Sequence, residues 1–343
     1  MADRSTADAA PKLRGFLIYA VGEIVLVVIG ILIALQIGEW AETRNEVQRF
    51  QGILREVRID LEGDIREAGV RIDQSNAEDS LLQRVLAGEM ERSDYLGPSG
   101  RAARRIALET RPFAQRRGGW ERLQALDGVI PDGYEDLMLA LQDVYVDYTG
   151  VLDTGLRDMT DGITRRHAWL ETNTSWYWRW RSDAEPSEEM IGWYLEDETW
   201  RNFVAAYEGD RVFRGPAIGP AYRKQAIFAW TAIGHVLGEP ESADFVPDGL
   251  VLRDPGRYEP WLGEWPDVFG RGARISIRFG MMVGENAFSS WGMREIGPGE
   301  FTDAYGGTEG RLFTFGRDPA GTPTLTISGR GPESVVHVKP DAD

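Results

Sequence analysis

The first forty residues and the thirty that follow carry opposite patterns. From Phe16 to Gly38 the chain is apolar on every side of a helical wheel, with Glu23 as the single ionisable group. At about 1.5 Å per residue this run reaches roughly 35 Å, enough to cross the hydrocarbon core of a bilayer. Beyond Trp40 the apolar residues recur at Val47, Phe50, Leu54, Val57, Leu61, Ile65, Ala68 and Ile72, three and four apart, with charged residues between them. That spacing predicts an amphipathic helix continuing out of the span. Its seam either mediates self-association as a stalk or covers the core of its own domain. The second reading is preferred, because the charges do not follow a clean heptad.

Further along, the loop from Asp94 to Gly100 breaks the pattern. Short helices are expected at 101–108 and 115–126. Pro131-Asp-Gly-Tyr then opens a helix through Leu137, Leu141, Val144, Tyr145, Tyr148 and Leu152, and a last apolar helix runs from Tyr222 to Leu237. From about Phe245 helical spacing gives way to dense Gly and Pro. Clean alternation at 274–279, 311–315, 324–327 and 334–338 predicts short strands of an antiparallel sheet or small barrel. The expected fold is therefore α+β. It comprises an N-terminal tail over 1–15, a transmembrane helix over 16–40, a helical bundle over 41–240 and an antiparallel β domain over 245–343.

An uncleaved anchor is favoured over a signal peptide, since the core is long and the exit, Gln36 to Trp40, offers no Ala-x-Ala. Tyr19 and Trp40 stand near the two ends of the span, where interfacial aromatics belong. Lys12 and Arg14 precede the span and Glu39 and Glu42 follow it, which favours the N-terminus inside and the large body outside the cytoplasm. Ala20, Glu23, Gly30, Ala34 and Gly38 fall on one broad face. The last three form a ladder of small residues that lets another helix approach closely. A carboxylate facing lipid costs a few kcal/mol, so Glu23 is expected to face protein; the alternative is a shallow Glu23 that reaches water beside incidental glycines.

Composition changes this picture mostly by exclusion. The 343 residues carry a formal charge of −17, with 38 Lys and Arg against 55 Asp and Glu. Nucleic acid as a partner is disfavoured, because displacing its counterions needs a basic surface. The absence of cysteine removes disulfides, thiol nucleophiles and thiolate metal sites. The three histidines, His167, His235 and His337, lie far apart, so no metal and no cofactor is expected. The acids around Asp153, Asp158 and Asp161 lack the spacing of a calcium loop. Neither a phosphate-cradling loop nor a Gly-x-Ser-x-Gly elbow is present.

One stretch is unusually aromatic. Trp176, Trp178, Trp180 and Trp193, with Arg179 and Arg181 between them, are nominated as an interaction patch, aromatic and Arg side chains being the stuff of interface hot spots. Packing of these rings into the bundle core is the preferred reading of the stretch, ahead of a protein or membrane contact and of a pigment or lipid pocket.

The run from Tyr19 to Gln36, followed by Trp40, resembles the opening of an uncharacterised bacterial family of single-span membrane proteins. A weaker echo runs from Trp120 to Leu137. Family members commonly carry Asn just after the span, where this chain has Gly38-Glu39. The section from Tyr258 to Trp265 onward looks faintly like a small β-barrel appended to bacterial serine hydrolases. The first resemblance implies a bacterial inner-membrane home and no known activity.

The reading that follows is a non-enzymatic scaffold or accessory subunit of a larger inner-membrane complex, respiratory or photosynthetic for example. Its expected partners are the lipid bilayer, other membrane subunits met through the helix and the aromatic patch, and a second copy of this chain. A ligand-sensing module acting through a membrane partner is the alternative. A hydrolase using two facing carboxylates is a third possibility.

Overall fold

The computed structural model describes residues 10–109, 112–126, 130–213, 218–240, 242–265, 272–286, 289–303, 311–329 and 335–339. The chain divides into two compact units, Met1–Ile53 and Leu54–Asp343. Helix α1 (Ala10–Ala87) begins in the first unit and ends in the second. It starts upstream of the boundary expected at Phe16 and shows no interruption at residue 40.

In the second unit the expected seam is realised. Leu54, Val57, Leu61, Ile65 and Ala68 are fully buried, so this stretch covers the core of its own domain. The helix stops at Gly88, whose φ of +69° only glycine adopts freely. The amides of Gly88 and Glu89 donate back to the carbonyls of Val85 and Arg84, closing the last turn.

The remaining helices are α2 (Gly100–Arg105), α3 (Gly118–Gln124), α4 (Glu135–Gln142), α5 (Thr149–Asn173), α6 (Tyr177–Arg181), α7 (Glu188–Glu196), α8 (Glu198–Asp210) and α9 (Ile218–Leu237). A π-helical turn over Asp143–Tyr148 joins α4 to α5. Helix α3 approaches α1 so closely that a Cβ at Gly119 would sit 2.6 Å from the Val57 amide nitrogen. Ala226, Ile227, Ala229, Ala232 and Ile233 are all fully buried, which makes α9 the inner helix of the bundle.

Among the described residues the C-terminal section holds eight antiparallel strands in sequential order: β1 (Gly263–Trp265), β2 (Ala273–Arg278), β3 (Met281–Asn286), β4 (Ser289–Gly297), β5 (Glu300–Asp303), β6 (Leu312–Arg317), β7 (Pro323–Ser328) and β8 (Val335–Val338). The sheet curls into a nearly closed barrel. The Lys339 ammonium, just past β8, donates to the carbonyls of Pro260 (3.0 Å) and Leu262 (2.6 Å), just ahead of β1. Trp265, Ile275, Met282, Met293, Phe301, Phe313 and Leu325 fill the interior.

The β2–β3 hairpin turns on Phe279 and Gly280, both with positive φ. Glycine suits that conformation and phenylalanine does not. Phe279 is kept there by edge-on contacts with Phe228 and His235 of α9. This contact ties sheet to bundle, and both belong to the same compact unit. The change from helices to strands near residues 240–245 falls inside the unit Leu54–Asp343.

Candidate functional site

Three regions compete for a functional role. The first is the apolar half of α1, which is long and apolar enough to cross a membrane. Every described side chain from Leu26 to Glu46 is exposed. Leu26 is 73% exposed and Ile37 60%. A Cβ built on Gly30 or Gly38 meets nothing within 4 Å, so the face they share with Ala34 is open. Glu23 is exposed as well. Ala20 lies on the helix but outside the residues whose side chains are described. At the far end of the apolar run Trp40 is exposed, with the Arg44 guanidinium 5.5 Å from its ring centre.

The second region is the aromatic cluster, and here the nominated interaction patch needs correction. Trp176, Trp180 and Trp193 are buried and do not form a surface. They pack into a core with Tyr95, Tyr194 and Trp200: Trp176 lies 5.2 Å and Trp200 5.4 Å from Trp193, and Tyr95 stacks on Tyr194 at 4.9 Å. Several polar tips find partners, while Trp193 Nε1 is buried with none among the described residues. Trp180 Nε1 and the Tyr194 hydroxyl both donate to the Arg104 carbonyl, and Trp200 Nε1 donates to the Tyr95 hydroxyl. Only Trp178, Arg179 and Arg181 remain toward solvent, with the Arg179 guanidinium 4.7 Å from the Trp178 ring centre.

His167 belongs to the same cluster. Its Nε2 lies 2.7 Å from the Leu108 carbonyl, which can only accept, so Nε2 carries the proton and Nδ1 accepts from the Tyr177 hydroxyl at 3.1 Å. Burial lowers the pKa of this imidazole and keeps it neutral.

The third region was not singled out from the sequence. Asp64 is fully buried on α1, within the stripe formed by Leu61, Ile65 and Ala68. One of its oxygens accepts from Arg116 Nη1 at 2.8 Å, the other from the Tyr222 hydroxyl at 2.9 Å, and the Arg116 amide reaches both. One turn earlier Asp60 accepts from the Gly119 amide at 2.8 Å. Gln115 Oε1 accepts from Thr149 Oγ1 at 2.7 Å, and Arg117 donates to the Tyr145 carbonyl in the π-helical turn. The Tyr145 hydroxyl and Gln115 Nε2 are buried without a partner among the described residues.

Burial pushes the Asp64 carboxyl up from 3.8 to about 6, outweighing the lowering pull of Tyr222 and Arg116. Burial also raises the phenols of Tyr145 and Tyr222, with Asp64 adding to the effect. The cluster fastens α1 to α9 and to the segment ahead of α3. An acid at i+3 from Leu61 on an otherwise apolar stripe is the signal that marks it. Asp64 has no exposed surface, and its oxygens are held by Arg116 and Tyr222.

Among the described residues no group of three or more His, Cys, Asp or Glu is placed to hold a metal ion. Comparison with protein-family models, with curated proteins and with solved structures gives no match to this chain.

Proposed function

We propose that the chain is a non-enzymatic scaffold or accessory subunit, anchored by a single span in a bacterial inner membrane, that stabilises a larger membrane-protein complex. The observation that carries this reading is the open face of Gly30, Ala34 and Gly38 on the stretch of α1 from Leu26 to Glu46, whose described side chains are all exposed. Inside lipid such a face drives close packing against another helix, through van der Waals contact and interhelical hydrogen bonds. Glu23 on the same side gains a partner by that packing and avoids a cost of a few kcal/mol in hydrocarbon. The large body then lies outside the cytoplasm, in keeping with Lys12 and Arg14 ahead of the span.

Replacing Gly30 and Ala34 together by Leu keeps the span apolar and fills the face. The doubly substituted chain should still insert and should lose the larger species seen by native electrophoresis and crosslinking of membranes. Association at the unsubstituted level would dispose of the packing role. A second reading, a sensing module acting through a membrane partner, draws on a cleft of about 370 Å³ in the second unit.

A further inference from the structure

Tyr177 of α6 and His167 of α5 differ chemically from the rest of the aromatic cluster. Inside the cluster the polar tips meet weak acceptors. Trp180 Nε1 and the Tyr194 hydroxyl share the Arg104 carbonyl, at 3.2 and 3.1 Å, and Trp200 Nε1 meets the Tyr95 hydroxyl. Neither a carbonyl nor a phenol holds an extra proton near neutral pH. The Tyr177 hydroxyl instead donates to His167 Nδ1 at 3.1 Å. The Leu108 carbonyl binds the opposite nitrogen, Nε2, at 2.7 Å and so keeps the ring proton away from Nδ1. Burial, aided by the charges of Arg181 and Arg166, lowers the imidazole pKa, so Nδ1 is a ready acceptor at neutral pH.

The rings around the pair are close enough to share a missing electron. Trp180 stacks on Tyr177, 6.1 Å centre to centre and 7° from parallel, and lies 4.9 Å from the His167 ring. Through the shared Arg104 carbonyl Trp180 adjoins Tyr194, which lies 4.9 Å from Trp200 and 5.1 Å from Trp193. A hole on one of these buried rings is an unpaired charge in a medium of low dielectric, which is costly. At Tyr177 the charge leaves the ring with the proton, because an oxidised phenol is a strong acid and the imidazole beside it is a base. Tyr177 is half-buried and does not line the cleft. An electron, unlike a bond-forming substrate, needs no cavity to leave by.

We propose that Tyr177 and His167 are a proton-coupled redox pair that yields one electron to a strong oxidant of the oxygen-radical class and so spares the buried tryptophans. The Tyr177 O–H bond breaks, the proton binds His167 Nδ1, and the electron passes to the oxidant, which is reduced to its anion. A neutral tyrosyl radical is left beside an imidazolium. Both N–H groups of that imidazolium keep an acceptor, the tyrosyl oxygen at one end and the Leu108 carbonyl at the other. A one-electron donor such as ascorbate then returns the electron, and Nδ1 returns the proton. The inference concerns the second unit by itself and stands apart from the scaffold reading.

The test uses the full chain in phosphatidylcholine nanodiscs, oxidised by photogenerated tris(bipyridine)ruthenium(III) and frozen for electron paramagnetic resonance. Ring-deuterated tyrosine marks the tyrosyl signal. A tyrosyl radical should accumulate, and Tyr177→Phe should lose most of it. Tyr148→Phe, at a half-buried tyrosine of the π-helical turn, should leave it unchanged. His167→Gln keeps a hydrogen-bond acceptor that cannot take the proton, so it should cut the yield about tenfold. The same variant should raise tryptophan oxidation, read by peptide mass spectrometry. No tyrosyl radical in the unsubstituted chain, or a full yield in Tyr177→Phe or in His167→Gln, overturns the proposal. Should the variants fail to fold, a nitroso spin trap on the unsubstituted chain decides. Adducts concentrated at Tyr177 support the pair, and adducts spread over other tyrosines overturn it.

Discussion

Helix α1 holds two apolar surfaces that behave in opposite ways. From Leu26 to Ile37 the side chains are apolar all round and exposed; from Leu54 to Ala68 one stripe is apolar and fully buried. The second half meets its partners within the chain. Beside its stripe Arg55 and Arg58 pair with Glu239, and the Arg58 guanidinium stacks 3.9 Å from the Trp230 ring centre. The first half has no continuous polar face to turn toward water and is long and apolar enough to cross a membrane. Periodicity, more than hydrophobicity, therefore distinguishes a helix that packs within its own chain from one that needs lipid or another span.

The strongest way to break this comparison is to truncate one leucine in each half. Leu61→Ala leaves a cavity in a packed core and should cost about 3 kcal/mol, read by urea unfolding followed through tryptophan fluorescence in detergent. Leu32→Ala, on the exposed half, should change the same unfolding free energy by less than about 0.5 kcal/mol. Equal losses would mean that the two halves do not differ as described.

The two carboxylates of α1 sharpen the contrast. Glu23 stands exposed on the apolar run, whereas Asp64 is sealed inside the bundle. Because burial lifts Asp64 to about 6, the native chain holds a proton between about pH 4 and 6 that the unfolded chain has released. Its contribution to stability is therefore complete below about pH 4 and is lost as pH rises through 6, a swing of about 3 kcal/mol. Asp64→Asn should remove that swing, so that the variant gains on the native sequence as pH rises from about 4 to 7. Parallel pH profiles of unfolding for the two chains would contradict it.

Much of this was legible from residue pattern, and the failures have physical causes. The seam from Leu54 to Ala68 and strands β2, β6, β7 and β8 kept a single period long enough to read. Strand β3 did not, because Met281, Met282 and Val283 are all buried and alternation vanishes. In β4 the register with β5 shifts between Glu295 and Gly297, which interrupts the period as well. Core packing was the preferred reading of the aromatic cluster, but which rings enter the core could not be read, because its residues fall on several short helices, α6, α7 and α8, whose phases reset at each break. No single wheel could show that Trp176, Trp180 and Trp193 turn inward while Trp178 turns out. Asp64 was not singled out, its one local signal being an acid on an apolar stripe. Its partners, Arg116 and Tyr222, lie 52 and 158 positions away, beyond the reach of local pattern.

Membrane attachment by the exposed half of α1, a helix long and apolar enough to span, is the premise on which the proposed function depends. Flotation of the full-length chain on a density gradient after alkaline carbonate extraction tests it directly. The untrimmed polypeptide should rise with the lipid. Its recovery at full length in the soluble fraction would contradict the assignment.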